Sequence, residues 1–266
     1  DGKIAFWYEK DWLKNGFSIS PFSLPLEEKV FIPKNYNFGG LFGIFADSLP
    51  DAWGQLLLDR VLKEYGIRDD ITMLDRLALV GKTGSGALEY EPDYELIEEQ
   101  EIRDLDYLSA QCQKILNTEY SDNLDLLYKL GGSSGGARPK ILTSIGDEDW
   151  IIKFPAHVDG RNVGLMEYEY ALCAGKCGIT MSEVRLFPSK KCRGYFGTRR
   201  FDRKPDGQRV HMLTAAALLE LDFRQPSLDY HSLMKLTSLI TGNDEDDMKN
   251  MFRRMCFNVF AHNRDD

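Results

Sequence analysis

A run of glycine and serine at residues 131–136 (GGSSGG) constrains the fold of this 266-residue chain more than any other feature. It separates a helical pattern from a hairpin pattern, and successive glycines let backbone N–H groups converge on an anion without side-chain clashes. A plain Gly/Ser surface loop is the alternative, and the run taken alone favours that alternative. The residues that follow therefore decide between an anion-binding loop and a solvated connection.

The residues after the run predict a β-hairpin, with strands over 141–145 and 150–154 and a turn over 146–149. Lys153 lies in the return strand, and Glu167 lies in a helix predicted from about residue 164 to 177. Kinases place a strand lysine beneath a glycine loop and hold it with a helix carboxylate, which orients the α- and β-phosphates of ATP. Taken singly, each residue is more typical of an edge-strand lysine or a surface glutamate.

A third feature, Asn263-Arg264-Asp265, follows a long apolar helix. Protein kinases carry His-Arg-Asp at this stage, and the Asp accepts the proton of the substrate hydroxyl. A charged tail is the alternative for this feature alone. The order of glycine loop, strand lysine, helix glutamate and x-Arg-Asp nevertheless favours a kinase, since chance agreement in order and context is rare. Residues 199–203 (RRFDR) lie where the predicted strands end and the predicted helices begin. Arg200 and Phe201 could form a hinge there that binds adenine. The alternative is a basic, solvated strand end.

The chain divides into two predicted units, 1–107 and 108–266. In the first unit the pattern predicts a strand over 4–8 and helices over 51–64 and 71–80. A loop at 81–86 follows and leads to a predicted strand at 87–90. The loop does not have the residue order of a P-loop. The second predicts a β-rich part over about 119–207 and a helical part over 208–266. Its helix at 164–177 is expected to bury a stripe of Met166, Tyr170, Cys173 and Cys177, and further helices are expected at 227–241 and 244–262.

The composition narrows the class of partner. The net charge of −9 argues against broad binding to a nucleic-acid backbone, although it leaves room for a small basic pocket. Five cysteines in no disulfide pattern indicate reduced thiols in a cytoplasm, and we expect Cys173 and Cys177 to be buried helix thiols rather than metal ligands. We expect no signal peptide and no membrane span.

The motifs resemble the HipA family of bacterial toxin kinases over nearly the whole chain. The residues that carry the resemblance are 45–51 (FADSLPD), 76–88, 135–140 (GGARPK), 152–155 (IKFP), Glu167-Tyr168, 200–203 (RFDR) and 263–266 (NRDD). The resemblance implies an α+β chain: a protein-kinase-like fold with a β-rich N-lobe and a truncated helical C-lobe, preceded by a small α+β N-terminal subdomain. It implies a serine/threonine kinase toxin that uses ATP and Mg²⁺ in the cytoplasm.

The resemblance also implies roles for particular residues. Asp265 corresponds to the catalytic base, and Ser133 to a serine whose autophosphorylation ejects the glycine loop, with Ser134 beside it. The ATP-binding positions are Lys153, Glu167, Arg200, Phe201 and the loop residues Ser133, Ser134, Gly135, Gly136 and Ala137. The implied partners are a HipB-type helix-turn-helix antitoxin, operator DNA through that antitoxin only, and a protein substrate such as an aminoacyl-tRNA synthetase.

The chain departs from the family pattern in ways that bear on activity. Asn263 stands where the family has His, and the expected Mg²⁺ ligands lie beyond residue 266, so none is assigned here. We expect both ends to be truncated and the fragment to transfer phosphate poorly. A catalytically dead kinase fold that binds an antitoxin, and a kinase-like fold that acts on a small molecule, remain as alternatives.

Overall fold

The computed structural model describes residues 2–67, 71–94, 104–222, 225 and 228–263. The fold is a mixed α/β arrangement of helices around a four-stranded antiparallel sheet. In the described parts of the chain the helices are α1 (Lys10–Asn15), α2 (Gly43–Ala46), α3 (Ala52–Glu64), α4 (Met73–Val80), α5 (Leu105–Leu116), α6 (Leu124–Gly131), α7 (Val163–Lys176), α8 (Ala215–Leu218), α9 (Tyr230–Ile240) and α10 (Glu245–Phe260). The strands are β1 (Lys140–Ile145), β2 (Glu148–Lys153), β3 (Val184–Phe187) and β4 (Tyr195–Arg199).

The sheet has the order β1-β2-β4-β3, so β1 is an edge strand. The predicted hairpin is confirmed as β1 and β2, and its register pairs Lys140 with Lys153 and Ile141 with Ile152. Because side chains alternate between the two faces of a strand, Ile141 and Ile152 enter the core. Lys140 and Lys153 therefore share the opposite face.

The main core lies between this sheet and three helices. Ile141, Trp150, Ile152, Phe154 and Tyr195 from the sheet side pack with residues of α3, α5 and α6, which are Trp53, Leu57, Val61, Leu108, Cys112, Ile115, Leu124, Leu126 and Leu127. Burying each large apolar side chain stabilises the fold by about 1.5–3 kcal/mol. The core therefore joins α3, from the first predicted unit, to the hairpin that follows the glycine run.

A carboxylate ties α5 to the sheet at the edge of this core. Asp106 accepts hydrogen bonds from Ser189 Oγ (2.5 Å), the Lys190 amide (2.9 Å) and Tyr195 Oη (2.8 Å). Burial works against its ionisation, but these donors outweigh burial and hold the pKa of Asp106 below its usual range. The turn between β3 and β4, which contains Ser189 and Lys190, is thus anchored to α5.

The strand predicted over residues 4–8 is wrong. Only Phe6 pairs, through two reciprocal backbone bonds with Phe31. The ladder cannot extend, because Pro33 has no N–H to donate and the Ile4 amide bonds to Gly40 instead. Residues 87–90, also predicted as a strand, form no regular element.

The buried stripe predicted for α7 is also wrong. Met166 is 65% exposed, Tyr170 is 40% exposed, and Cys173 and Cys177 are both exposed. The helix instead buries its small residues Gly164, Ala171 and Ala174. A Cβ at Gly164 would lie 2.2 Å from the Gly194 carbonyl oxygen, so α7 meets the backbone at the start of β4 through a position that only glycine can occupy.

The helical end of the chain matches its prediction in outline. Helices α9 and α10 lie within the predicted ranges 227–241 and 244–262 and pack against each other. Asp244 caps α10 by accepting from the amides of Asp246 and Asp247. None of the helices in the described residues combines the length and apolar character that crossing a bilayer requires.

Candidate functional site

Lys153 and Glu167 form an ion pair on the face of the sheet that the core leaves open. The Lys153 Nζ contacts Glu167 Oε1 across the gap between β2 and α7. The side chains of Lys153 and Glu167 are 32% and 25% exposed to solvent. The Lys153 Nζ also lies 5.3 Å from the centre of the Phe196 ring. Gly164, three residues before Glu167, is the position at which α7 approaches the backbone at the start of β4. The structure thus brings together the strand lysine and helix glutamate that the sequence singled out.

Lys140 is a second cation at the same place, and it was missed as a site residue. It is 7% exposed, pairs in register with Lys153, and donates from Nζ to the Gly135 carbonyl. Burial, helped by the charge of Lys153, lowers the pKa of Lys140 to about 8, while Asp51 and Glu167 act in the opposite direction. Among the described residues it makes no ion pair. The alternation of a hairpin around the turn at 146–147 could have placed Lys140 beside Lys153.

The glycine run packs on the start of α3. The Trp53 amide donates to the Gly136 carbonyl (3.2 Å), and Ser134, which is 3% exposed, donates from Oγ to the Gly131 carbonyl (2.5 Å). A Cβ at Gly54 would lie 2.5 Å from the Gly132 carbonyl oxygen. Close backbone approach therefore explains the glycine in α3, and it also explains Gly131, whose Cβ would lie 2.4 Å from the Lys140 carbonyl oxygen.

The rest of the run faces outward. Gly135, Gly136 and Ala137 are exposed, and Gly136 has a positive φ of 84°, which favours glycine. Exposed backbone amides beside two lysine side chains form a surface that a phosphate group fits by charge and by hydrogen-bond donors. The residues present thus fit the phosphates of a nucleotide.

Ser133 is turned towards the loop at 81–86. Its Oγ donates to the Thr83 carbonyl at 2.9 Å, and its side chain is half-buried. That loop contains no helix or strand, as predicted, but it does not lead into the strand that was predicted at 87–90. The Ser133 side chain therefore links the glycine run to the 81–86 loop, whereas the Ser134 side chain bonds within the run.

Arg200 and Phe201 are neighbours in the sequence, but the first side chain is buried and the second is exposed. The Arg200 guanidinium, whose side chain is 7% exposed, pairs with Asp202 at 2.6 Å, whereas Phe201 is 65% exposed. The Arg200 amide already donates to the Asp149 carbonyl at 2.7 Å. The Arg200 side chain is thus a buried structural group.

Asp202 is the centre of a network that sequence reasoning missed. It accepts from Arg200 Nε and Nη2, Arg203 Nη1 and the Gly86 amide, at 2.6–3.0 Å. Burial opposes its ionisation, but these donors and the two guanidinium charges hold the pKa of Asp202 below its usual range. The network fastens the 81–86 loop to the end of β4, more than a hundred residues away.

Asp265, the predicted catalytic base, lies outside the described residues, as does Arg264. Asn263 is described, and its Nδ2 donates to Asn258 Oδ1 at 3.2 Å just beyond α10. No group of three or more His, Cys, Asp or Glu side chains in the described chain is arranged to hold a metal ion.

Two family models match separate parts of the chain. The HipA N-terminal domain family matches residues 1–91, and the HipA-like C-terminal domain family matches residues 132–266. No curated protein sequence matches the chain.

Among solved structures, the fold resembles a chain from the complex of the Shewanella oneidensis MR-1 toxin–antitoxin system HipA, HipB and its operator DNA. The TM-score is 0.66 at 19% sequence identity, and the similarity covers 99% of this chain and 66% of that chain. This chain thus spans just under two thirds of that chain, and an identity this low supports the fold alone. The two family matches together cover most of the sequence, and they show that the chain belongs to the HipA family.

Proposed function

We propose that this chain carries the ATP-binding part of a serine/threonine protein kinase that acts as a HipA-like toxin. The observation that carries the proposal is the Lys153–Glu167 ion pair beside the exposed end of the glycine run. A pair of this kind between a strand and a helix is how kinases hold the lysine that contacts the ATP phosphates. Lys140, on the same sheet face, adds a second cation.

The proposed division of labour follows from position. Lys153 binds the α- and β-phosphates, Glu167 orients Lys153, and the amides of Gly135, Gly136 and Ala137 approach the phosphate oxygens. When bound, ATP would supply the phosphoryl group and Mg²⁺ would offset the charge of its phosphates. Asp265 takes the proton from the attacking hydroxyl. The backbone near Arg200 and Phe201 forms a hinge for adenine, between a β-rich lobe at about 119–207 and a helical lobe from 208.

The proposal extends to partners. A HipB-like helix-turn-helix antitoxin is supported by the complex in which the similar chain was solved. DNA would reach this protein only through that antitoxin, which agrees with the net charge of −9. We further propose a cytoplasmic protein substrate, such as an aminoacyl-tRNA synthetase, and autophosphorylation at Ser133.

A catalytically dead kinase fold that binds an antitoxin is the second candidate. The observation that favours it is the engagement of Lys140 by the Gly135 carbonyl, which occupies one of the two lysines with the loop itself. Antitoxin binding without phosphate transfer would follow if the loop never leaves this position.

Transfer of radiolabelled phosphate from ATP by the full-length protein separates the two candidates. The kinase proposal expects label on the wild type and none on Lys153→Ala or Asp265→Asn, with Lys176→Ala as the matched surface control. Unlabelled wild type that still binds nucleotide would support the second candidate. Undiminished transfer by Lys153→Ala would overturn the assignment of the phosphate-binding lysine.

A further inference from the structure

The edge strand β1 has a neighbouring strand, β2, on one side only. The Phe154 amide donates to the Pro139 carbonyl at 2.8 Å, so these two residues face each other across the β1–β2 ladder. The hydrogen-bonding groups of an antiparallel strand point to alternate sides from one residue to the next. Counted from Pro139, the amides and carbonyls of Lys140, Leu142 and Ser144 therefore point away from β2.

The second half of this outward edge is open. The Lys140 carbonyl accepts from Trp53 Nε1 at 3.2 Å, so the first half is covered by α3. In the described chain, the backbone groups of Leu142 and Ser144 form no hydrogen bond on the outward side. The open half thus offers two N–H donors and two carbonyl acceptors to an added strand.

A cavity of about 210 Å³ lies along the open half, and both of its residues line the cavity. The Lys82 and Arg209 side chains form part of the same wall. Lys82 is exposed and makes no ion pair within the described ranges. Lys153 and Glu167 do not line the cavity, so this surface lies apart from the ion pair of the proposed nucleotide site.

Arg209 has an unmatched hydrogen-bond donor in this wall. Its Nη2 pairs with Glu89 Oε1 at 3.1 Å, whereas its Nη1 is buried and has no hydrogen-bond partner in the part of the chain that the structure describes. Because buried charged donors nearly always have an acceptor, this N–H indicates an acceptor supplied from elsewhere. Guanidinium groups bind carboxylates through strong, charge-assisted hydrogen bonds.

Other charged groups of the wall already have partners. Arg200 and Arg203 are held by Asp202, and Asp149 accepts a hydrogen bond at 2.5 Å from a β1 hydroxyl group. The Lys82 charge is therefore left to attract an acidic partner. Edge pairing between two copies of this chain is disfavoured, because it would bring like charges together.

We propose that the open half of β1 binds an extended, acidic peptide segment of another protein, which adds to the sheet as a further strand. The peptide backbone would bond to Leu142 and Ser144. Alternate side chains of a strand share one face, so a Glu or Asp on that face would accept from Arg209 Nη1 and lie near Lys82. Backbone pairing selects an extended conformation, and the two cations select its charge. This interaction goes beyond the proposed kinase activity and does not depend on it.

Fluorescence anisotropy on the full-length protein, without nucleotide, tests this surface. The probe is a labelled hexapeptide of alternating valine and glutamate, and we expect it to bind saturably. Replacement of its glutamates by glutamine should weaken binding about tenfold or more, because the charge-assisted bonds are lost. N-methylation of alternate backbone amides should remove binding, because it blocks strand pairing.

Variants of the protein separate the backbone contribution from the charge contribution. Ser144→Pro removes the outward amide of an exposed edge residue, a position where proline is tolerated, and should abolish binding. Ser144→Ala keeps that amide and is the matched control, with unchanged affinity. Arg209→Gln should weaken binding about tenfold, and Lys82→Gln should weaken it less because Lys82 is exposed. Lys176→Gln, which removes an exposed cation of α7, should have no effect.

The proposal is overturned if the glutamine peptide binds as tightly as the glutamate peptide, or if Ser144→Pro binds the probe as the wild type does. Binding of a thymidine oligonucleotide of equal charge, without binding of the peptide, would show a general anion surface and would also overturn it. Circular dichroism establishes which variants fold, and the altered peptides and Lys82→Gln keep the test decisive if Ser144→Pro or Arg209→Gln does not. Because no measurement uses ATP, failure here leaves the kinase assignment standing, and an inactive kinase leaves this surface standing.

Discussion

The Lys153–Glu167 pair and the Asp202 cluster (Asp202 with Arg200 and Arg203) use opposite charges in different ways. Lys153 and Glu167 keep about a quarter to a third of their exposure and hold each other through one contact. Arg200 and Asp202 are 7% and 6% exposed, and Asp202 accepts four hydrogen bonds. A saturated, buried network joins segments of the chain, whereas a partly exposed pair keeps donors available to a ligand. The first should therefore matter for stability and the second for binding.

Asp202→Asn should have the largest effect on stability. It would leave Arg200 and Arg203 buried without their carboxylate, and breaking a buried pair in this way costs about 3–5 kcal/mol. Urea unfolding at pH 7 measures the change. Asp147→Asn in the exposed β1–β2 turn is the matched control, with an expected change within about 0.5 kcal/mol. Equal unfolding midpoints for the two variants would show that the cluster does not hold the fold together.

The same carboxylate gives an acid dependence. Because the folded-state pKa of Asp202 lies below its ordinary value of 3.8, its stabilising contribution is fully present above pH 3.8 and is lost as pH falls through the folded value. The difference in unfolding free energy between wild type and Asp202→Asn should therefore shrink below pH 3.8. A constant difference down to pH 2 would contradict the lowered pKa.

Gly54→Ala should separate the glycine run from α3. The new Cβ would meet the carbonyl oxygens of Gly132 and Ser134 at 2.5 and 2.8 Å, and such overpacking costs about 1–3 kcal/mol. Gly175→Ala in α7 is the matched control, because nothing lies within 4 Å of its Cβ. It should instead stabilise the protein by about 0.5–1 kcal/mol through helix propensity. Thermal unfolding of both variants checks the opposite signs.

Lys140→Met should have the smallest effect and sharpens the description of the open sheet face. The folded-state pKa of about 8 lies below the ordinary 10.5, so the unfolded chain holds this proton more tightly. Wild-type stability should then rise as pH increases from about 8 to 10.5, and the variant should lack that rise. At pH 7 we expect the variant to be about 1 kcal/mol more stable, after the lost bond to Gly135 is counted.

Unfolding of the wild type, Lys140→Met and Lys176→Met at pH 7, 9 and 10 tests this behaviour. Lys176 is an exposed lysine, and its replacement should leave the pH profile unchanged. A wild-type profile that matches Lys140→Met at all three values would mean that Lys140 carries no buried charge.

The sequence predicts the local features of the fold and the site better than it predicts contacts between distant segments. Hairpin and helix patterns are local, so β1, β2, α7 and the meeting of Lys153 with Glu167 were predictable from spacing. The Asp202 cluster depends on a loop more than a hundred residues earlier, which local patterns do not reveal. The prediction of the buried face of α7 was wrong because it assumed that the large apolar side chains would be buried. Close packing on β4 instead selects Gly164 and the small alanines.

Exchange of the two charges in Lys153→Glu/Glu167→Lys tests the central claim most directly. The swapped pair can still form, so urea unfolding should change by no more than about 1 kcal/mol. The phosphates of ATP would now face a carboxylate from β2, and ATP binding measured by calorimetry on the full-length protein should weaken at least tenfold. Loss of binding with an intact unfolding curve is the predicted result. Unchanged affinity for ATP in the swapped variant would show that Lys153 serves the fold alone and would contradict the proposed nucleotide site.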